Sequence, residues 1–326
     1  MPAKTKSNWL VRSLRWMFPW KGDRPKTIIS KLIFLIALCV FIVCAVLLIQ
    51  YFWNDAQADT EYNNIKSLYT EAQPQQPEDQ PQIEMPEGYR EQFRALYGIN
   101  PDIKGWITIP NTTVDYPVVQ TTDNDYYLNH TFERNYNTVG VPFIDYRCSF
   151  GPSLSDFSDN TIIYGHNIKS NKMFHEVLKY ADLDFYKQNP TFQLNTVYQD
   201  YTCKVIAAYI TNGDMSLPDS FAYHNFINAS SEEEYFQYLN ESVQRSFYYT
   251  GVDVEYGDKL VTLSTCTYEY DNARFVLLAR LVREGEDTRV DVSQARNNPA
   301  PFYTQGYCQK FGLTQNPHND SFVYYQ

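Results

Sequence analysis

K-L-V-T-L-S-T-C-T-Y-E-Y-D-N-A-R-F-V-L-L-A-R-L-V, residues 259–282, is the stretch around which the rest of the chain falls into place. Two β-rich runs, 260–265 and 275–282, flank a short polar loop at 268–272, the pattern of an antiparallel hairpin. Cys266 falls where the first strand ends, and Arg274 where the second begins. Opposed residues in such a pair sit about 5 Å apart at Cβ, so the thiol and the guanidinium converge on one point. A nucleophile beside a fixed cation is the beginning of an acyl-transfer site.

Outward from this hairpin, charge and hydropathy divide the chain. Residues 1–31 hold eight Lys or Arg against Asp23; setting that +7 aside from the formal −11 leaves about −18 on the remainder. So acidic a remainder argues against nucleic acid as a partner, because phosphate binding needs a basic patch. Residues 32–49 are an unbroken apolar run, extended by Ile28 and Tyr51, and are long enough as a helix to cross a hydrocarbon core of about 30 Å. With the basic flank first, the reading is a cell-membrane protein with a single span, a cytoplasmic N-terminus and an extracellular catalytic domain. Ala56-Gln57-Ala58 has the form of a signal-peptidase site, but the apolar run exceeds the usual signal length and its leader is long.

The expected organisation is a basic segment (1–31), a transmembrane helix (32–51), a stalk and linker (52–85), a catalytic domain (86–283) and a C-terminal extension (284–326). Within the stalk, Tyr62, Ile65 and Tyr69 share a helical face, and 73–85 carries three prolines among Gln and Glu. Pro86 suits a first helical position before Tyr89, Phe93, Leu96 and Tyr97. Short β-rich runs follow at 105–109, 114–119, 139–144, 161–164, 191–194 and 201–210, spacing that points to a barrel or sandwich. Ser231 and Glu234 have capping-box spacing, with Phe236, Leu239, Val243 and Phe247 as the stripe behind them.

Six cysteines in so long a chain do not make a disulfide scaffold. Cys39 and Cys44 fall in the apolar run, and Cys148 and Cys203 read as core. Among five histidines, His166 follows the apolar run 161–164 through Gly165 and so emerges at a strand end, as Cys266 does. His175 opens H-E-V-L-K, in which Lys179 stands where a zinc-binding helix needs its second His, so no metal site follows. His130, His224 and His318 sit among polar residues and read as surface.

T-L-S-T-C at 262–266, Y-G-H-N at 164–167, G-W-I-T-I-P-N-T-T-V-D-Y-P-V-V-Q at 105–120 and D-N-D-Y-Y-L-N-H at 123–130 together resemble the class B sortases, membrane-anchored cysteine transpeptidases. The likeness covers about 86–283. It implies a mainly β fold with peripheral helices, an eight-stranded barrel with a helix in the long loop before the nucleophile strand. By the same likeness, His166, Cys266 and Arg274 are catalytic and Asn124, Leu128 and Ser264 line the groove for a sorting signal. The implied partners are sorting-signal-bearing surface proteins and an amine of peptidoglycan or of a pilin; no cofactor is implied. A papain-like protease would place its Cys before its His, the reverse of the order here. A non-catalytic receptor would not explain Cys, His and Arg at strand ends.

Overall fold

The computed structural model describes residues 14–70 and 83–326, in two compact units, Met1–Gln57 and Ala58–Gln326. The expected linker residues 73–82, and Lys4, Lys6 and Arg12 of the basic segment, lie outside the described residues. A 46-residue helix, α1 (Pro25–Thr70), carries the apolar run, of which no residue is buried.

From Ala58 onward the same helix belongs to the second unit. Ala58, Glu61, Tyr62 and Ile65 are buried, and Tyr69 stacks on Trp106 at 4.3 Å between centroids. Their spacing of three and four residues keeps them on one face, so 58–70 packs as a core helix where a stalk was expected. A second difference lies at Pro86, which sits in a turn closed by Tyr89 N–H to its carbonyl (3.2 Å). Gly88 at φ +84° ends any helix there, and helical backbone resumes only with a 3₁₀ turn (Glu91–Phe93) and α2 (Arg94–Ile99).

Twelve strands follow: β1 (Ile103–Thr108), β2 (Asp115–Val119), β3 (Phe143–Ile144), β4 (Asn160–Tyr164), β5 (Asn167–Ile168), β6 (Lys172–Met173), β7 (Thr191–Thr196), β8 (Asp200–Asn212), β9 (Tyr248–Tyr249), β10 (Leu260–Cys266), β11 (Ala273–Leu281) and β12 (Arg296–Asn297). Eight close a barrel in the order β1-β2-β3-β4-β10-β11-β8-β7. The run at 139–144 yields only the two residues of β3, because Gly140 turns the chain at φ +64°.

Two helices lie on or beside the barrel, α3 (Leu183–Gln188) and α4 (Glu232–Arg245). Ser231 caps α4 by accepting Glu234 N–H (3.2 Å), and Glu234 reaches back to Ser230 N–H (2.8 Å). Tyr235, Leu239 and Val243 of α4 share a buried cluster with Ile206, Tyr209, Leu260 and Leu278, so β8, β10 and β11 are covered outside as well as filled inside. That is why they read as near-continuous apolar runs. The C-terminal extension folds on this layer, with β12 paired to β9, a short α5 (Gln305–Phe311), and Phe302, Cys308 and Tyr325 buried.

Candidate active site

Strands β4 and β10 are parallel neighbours, in register from Leu260↔Asn160 to Ser264↔Tyr164. Parallel strands end at the same rim, so Cys266 closes β10 beside the point where His166 follows β4. Strand β11 runs antiparallel and starts at that rim, with Arg274 directly opposite Cys266. Neighbouring strands are about 4.8 Å apart, so three adjacent chains present His166, Cys266 and Arg274 side by side. A cleft of about 410 Å³ opens there, lined by these three and by Asn124, Leu128 and Ser264. Phe143, Tyr164, Gly165 and Thr265 complete its walls, none of them expected from the sequence as a site residue.

Exposure separates the thiols. Cys266 is exposed, whereas Cys148, Cys203 and Cys308 are buried, and all are free. Burial pushes the Cys148 thiol up to about 12 and raises Cys203 and Cys308 as well, so none of these is a thiolate at neutral pH.

His166 Nε2 lies 2.8 Å from the Leu128 carbonyl. A carbonyl only accepts, so Nε2 carries a proton, and Nδ1 is the nitrogen that can exchange one without breaking this contact. The ring is pressed from one side by Gly140, where a Cβ would stand 3.1 Å from His166 Cδ2 and 2.6 Å from the Tyr127 carbonyl. Tyr62 of α1 donates to the Gly140 carbonyl (2.5 Å), so the helix at 58–70 props the loop that bears on His166.

Asn167 ties the two halves of the site together. Its Nδ2 donates to the Cys266 carbonyl (2.9 Å), which fixes the amide so that Oδ1 accepts from His175 Nδ1 (2.6 Å). Tyr268 donates to the Asn167 carbonyl (2.9 Å). His175, without metal-ligand neighbours of its own, is thus a partner of Asn167, and among the described residues no cluster could hold a metal ion.

Behind the opposite wall lies Asp145, whose side chain is fully buried. Its Oδ2 accepts from Asn124 Nδ2 (3.0 Å), Tyr164 Oη (3.0 Å) and Arg147 Nη2 (2.7 Å), and its Oδ1 from Arg147 N and Nε (both 2.9 Å). Burial pushes this carboxyl up, but the bonds from Arg147 and Tyr164 outweigh it and hold Asp145 below the usual carboxylate range. On the floor, Tyr223 Oη and Ser264 Oγ are 2.6 Å apart. Arg274 donates to the carbonyls of Asn272 (3.2 Å) and Ala273 (3.1 Å), not to Glu269 or Asp271. His130 stacks on Tyr126, and His318 bridges Glu241 and Asp320, both away from the cleft.

The family model described as Sortase domain matches residues 107–282. The chain is 32% identical to sortase B of Listeria monocytogenes over 260 residues, covering 79% of this chain and 98% of that protein. Among solved structures, a Staphylococcus aureus sortase B–substrate complex aligns with TM-score 0.59 and 28% identity, over 71% of this chain and 99% of that one. Sortase B from B. anthracis in complex with AAEK1 aligns with TM-score 0.58 and 31% identity, over 71% and 99%. A domain match over more than half of the chain, and a relative aligned over almost its whole length, support one assignment: this chain belongs to the sortases, the cysteine transpeptidases, and among them to class B.

Proposed function

We propose that this transpeptidase cleaves a C-terminal sorting signal through Cys266 and passes the acyl part to a cell-wall amine. The observation that carries the reading is one exposed thiol flanked on neighbouring chains by His166 and Arg274 in a cleft. Cys266 Sγ attacks the scissile carbonyl as its proton passes to His166, and Arg274 donates to the oxyanion that forms. His166 gives a proton to the departing amine, so the C–N bond breaks and a thioester to Cys266 remains. An incoming amine loses a proton to His166 and attacks that thioester, which releases the thiol. Asn124, Leu128 and Ser264 hold the signal residues on the acyl side.

Family membership carries the coarser statements: sortases take sorting-signal-bearing proteins and amine acceptors, and they are membrane-associated. For this chain we place α1 across the membrane once, with residues 1–31 inside and the catalytic unit, running from about 86 to 283, outside. Slow turnover suffices in such an arrangement, because enzyme and substrate on one membrane raise each other's effective concentration. The test uses the detergent-solubilised chain and a quenched-fluorescent peptide library, with hydroxylamine as the amine. A library peptide should be cleaved and converted to its hydroxamate, and Cys266→Ala should abolish both. Cleavage by Cys266→Ala, or alkylation of Cys148 by a peptide probe, would overturn the assignment.

A further inference from the structure

Residues beyond 282 lie outside the sortase match, yet they reach the rim that carries Arg274. Thr304 Oγ1 donates to Tyr270 Oη (2.8 Å), and Gly306 lies so close to the Tyr270 ring that a Cβ would fall 2.7 Å from Cδ2. Tyr270 stands in the short loop between Cys266 and Arg274, and its carbonyl accepts Ala273 N–H (3.3 Å). The loop before Arg274 is therefore held from outside by the C-terminal segment.

The strand beside Arg274 is held by the same segment. Arg274 pairs with Thr211 and Ala273 with Asn212 on β8, and Gly213 N–H donates to the Asn272 carbonyl (2.7 Å). Buried Asp219 accepts from Asn212 Nδ2 (2.6 Å) and from Gln305 N–H (2.5 Å), which fixes the end of β8 to the start of α5. The residue after Arg274 is reached too, since Phe275 packs on Phe247 (6.3 Å), and Phe247 on Tyr303 (5.6 Å) and Tyr307 (6.0 Å). Among the described residues, Arg274 bonds to the neighbouring carbonyls of Asn272 and Ala273, so its direction depends on the backbone around it.

We propose that the C-terminal segment is a buttress for Arg274, with Thr304 and Gly306 as positioning residues acting through Tyr270. The proposal rests on the reading that Arg274 serves the oxyanion, and it assigns the extension to the reaction itself. A glycine is required at 306 because Tyr270 occupies the place of a side chain. A displacement of about 1 Å in a reacting group can cost 100-fold in rate, so a modest shift of this loop is enough to read.

The test introduces Gly306→Ala and, separately, Thr304→Val into the detergent-solubilised full chain, using a library peptide that the unaltered enzyme turns over and hydroxylamine. Gly306→Ala should lower kcat by roughly 10- to 100-fold while KM and the rate of Cys266 alkylation by iodoacetamide stay within about twofold. Thr304→Val, which deletes the hydroxyl's bond to Tyr270 and its cap on Tyr307 N–H (3.4 Å), should lower kcat by a smaller factor and keeps the test open if Gly306→Ala does not fold. In an Arg274→Lys background either change should add less than about twofold. Equal losses in both backgrounds, or no loss from either variant while Arg274→Lys is damaging, would overturn the buttress. An Arg274→Lys enzyme of unaltered turnover would instead remove the reading of Arg274 on which it rests.

Discussion

Replacing Asp145 by Asn tests how the cleft wall is held. The amide keeps the size but offers one acceptor oxygen where the carboxylate offers two. If that oxygen faces Asn124, Tyr164 and Arg147 Nη2, then its NH2 confronts Arg147 N and Nε, two donors previously bonded at 2.9 Å. Hydrogen bonds to a charged group contribute roughly 1.5–3 kcal/mol each, and breaking one side of a buried ion pair costs about 3–5 kcal/mol. Arg147 is 33% exposed, so water recovers part of this, and a loss of about 2–4 kcal/mol is expected in urea unfolding near neutral pH. The stability from a lowered carboxyl is present above its ordinary value of 3.8 and is lost as pH falls through the folded value. The gap between wild type and variant should therefore stay constant down to about pH 5 and narrow in stronger acid. Because a neutral amide oxygen accepts from Asn124 more weakly than the carboxylate does, Asn124 is held less firmly and KM for a cleaved peptide should rise as well. A loss below about 1 kcal/mol with an unaltered KM would refute the role given to Asp145.

Arg274→Lys should retain the melting temperature but lower kcat by roughly 100-fold, since an ammonium lacks the paired donors of a guanidinium; near-native turnover, or equal damage from Glu269→Gln, would make Arg274 a structural residue. Asn167→Asp keeps an acceptor for His175 but removes the donor to the Cys266 carbonyl, so it should be as damaging to kcat as Asn167→Ala, and His175→Gln milder than either; a harmless Asn167→Asp would show that the Cys266 bond is dispensable. If α1 spans the membrane, carbonate should fail to extract the chain and external protease should leave only a small N-terminal fragment, whereas an intact domain beginning near Asp59 would indicate cleavage of a signal.

The barrel and the hairpin of Cys266 and Arg274 were legible because their signals are local: alternating or continuous β-rich runs, turn residues, and a motif at a strand end. Asn167 and Asp145 were not singled out, because an Asn or Asp draws its meaning from partners 99 or 21 positions away. The helix at 58–70 showed two of its buried residues, Tyr62 and Ile65, and the half-buried Tyr69, but Glu61 on the same face disguised it. Its carboxylate accepts Glu133 N–H (3.0 Å), a bond that no periodicity reveals. Strand 139–144 and the Pro86 helix failed where one glycine at positive φ, Gly140 or Gly88, overrode the surrounding propensity.

The parallel pairing of β4 with β10 also bears on how the enzyme is made. His166 and Cys266 meet across 99 intervening positions, and the β10–β11 hairpin is the piece inserted between β4 and β8 to close the barrel. Ring closure of that length comes after the local turns and helices have formed. A chain emerging during synthesis therefore carries its thiol, with Arg274 already opposite it in the hairpin, but with no base beside it until the last seam is shut. Completion of the fold and arming of the nucleophile are one event, and any later opening of the seam disarms it.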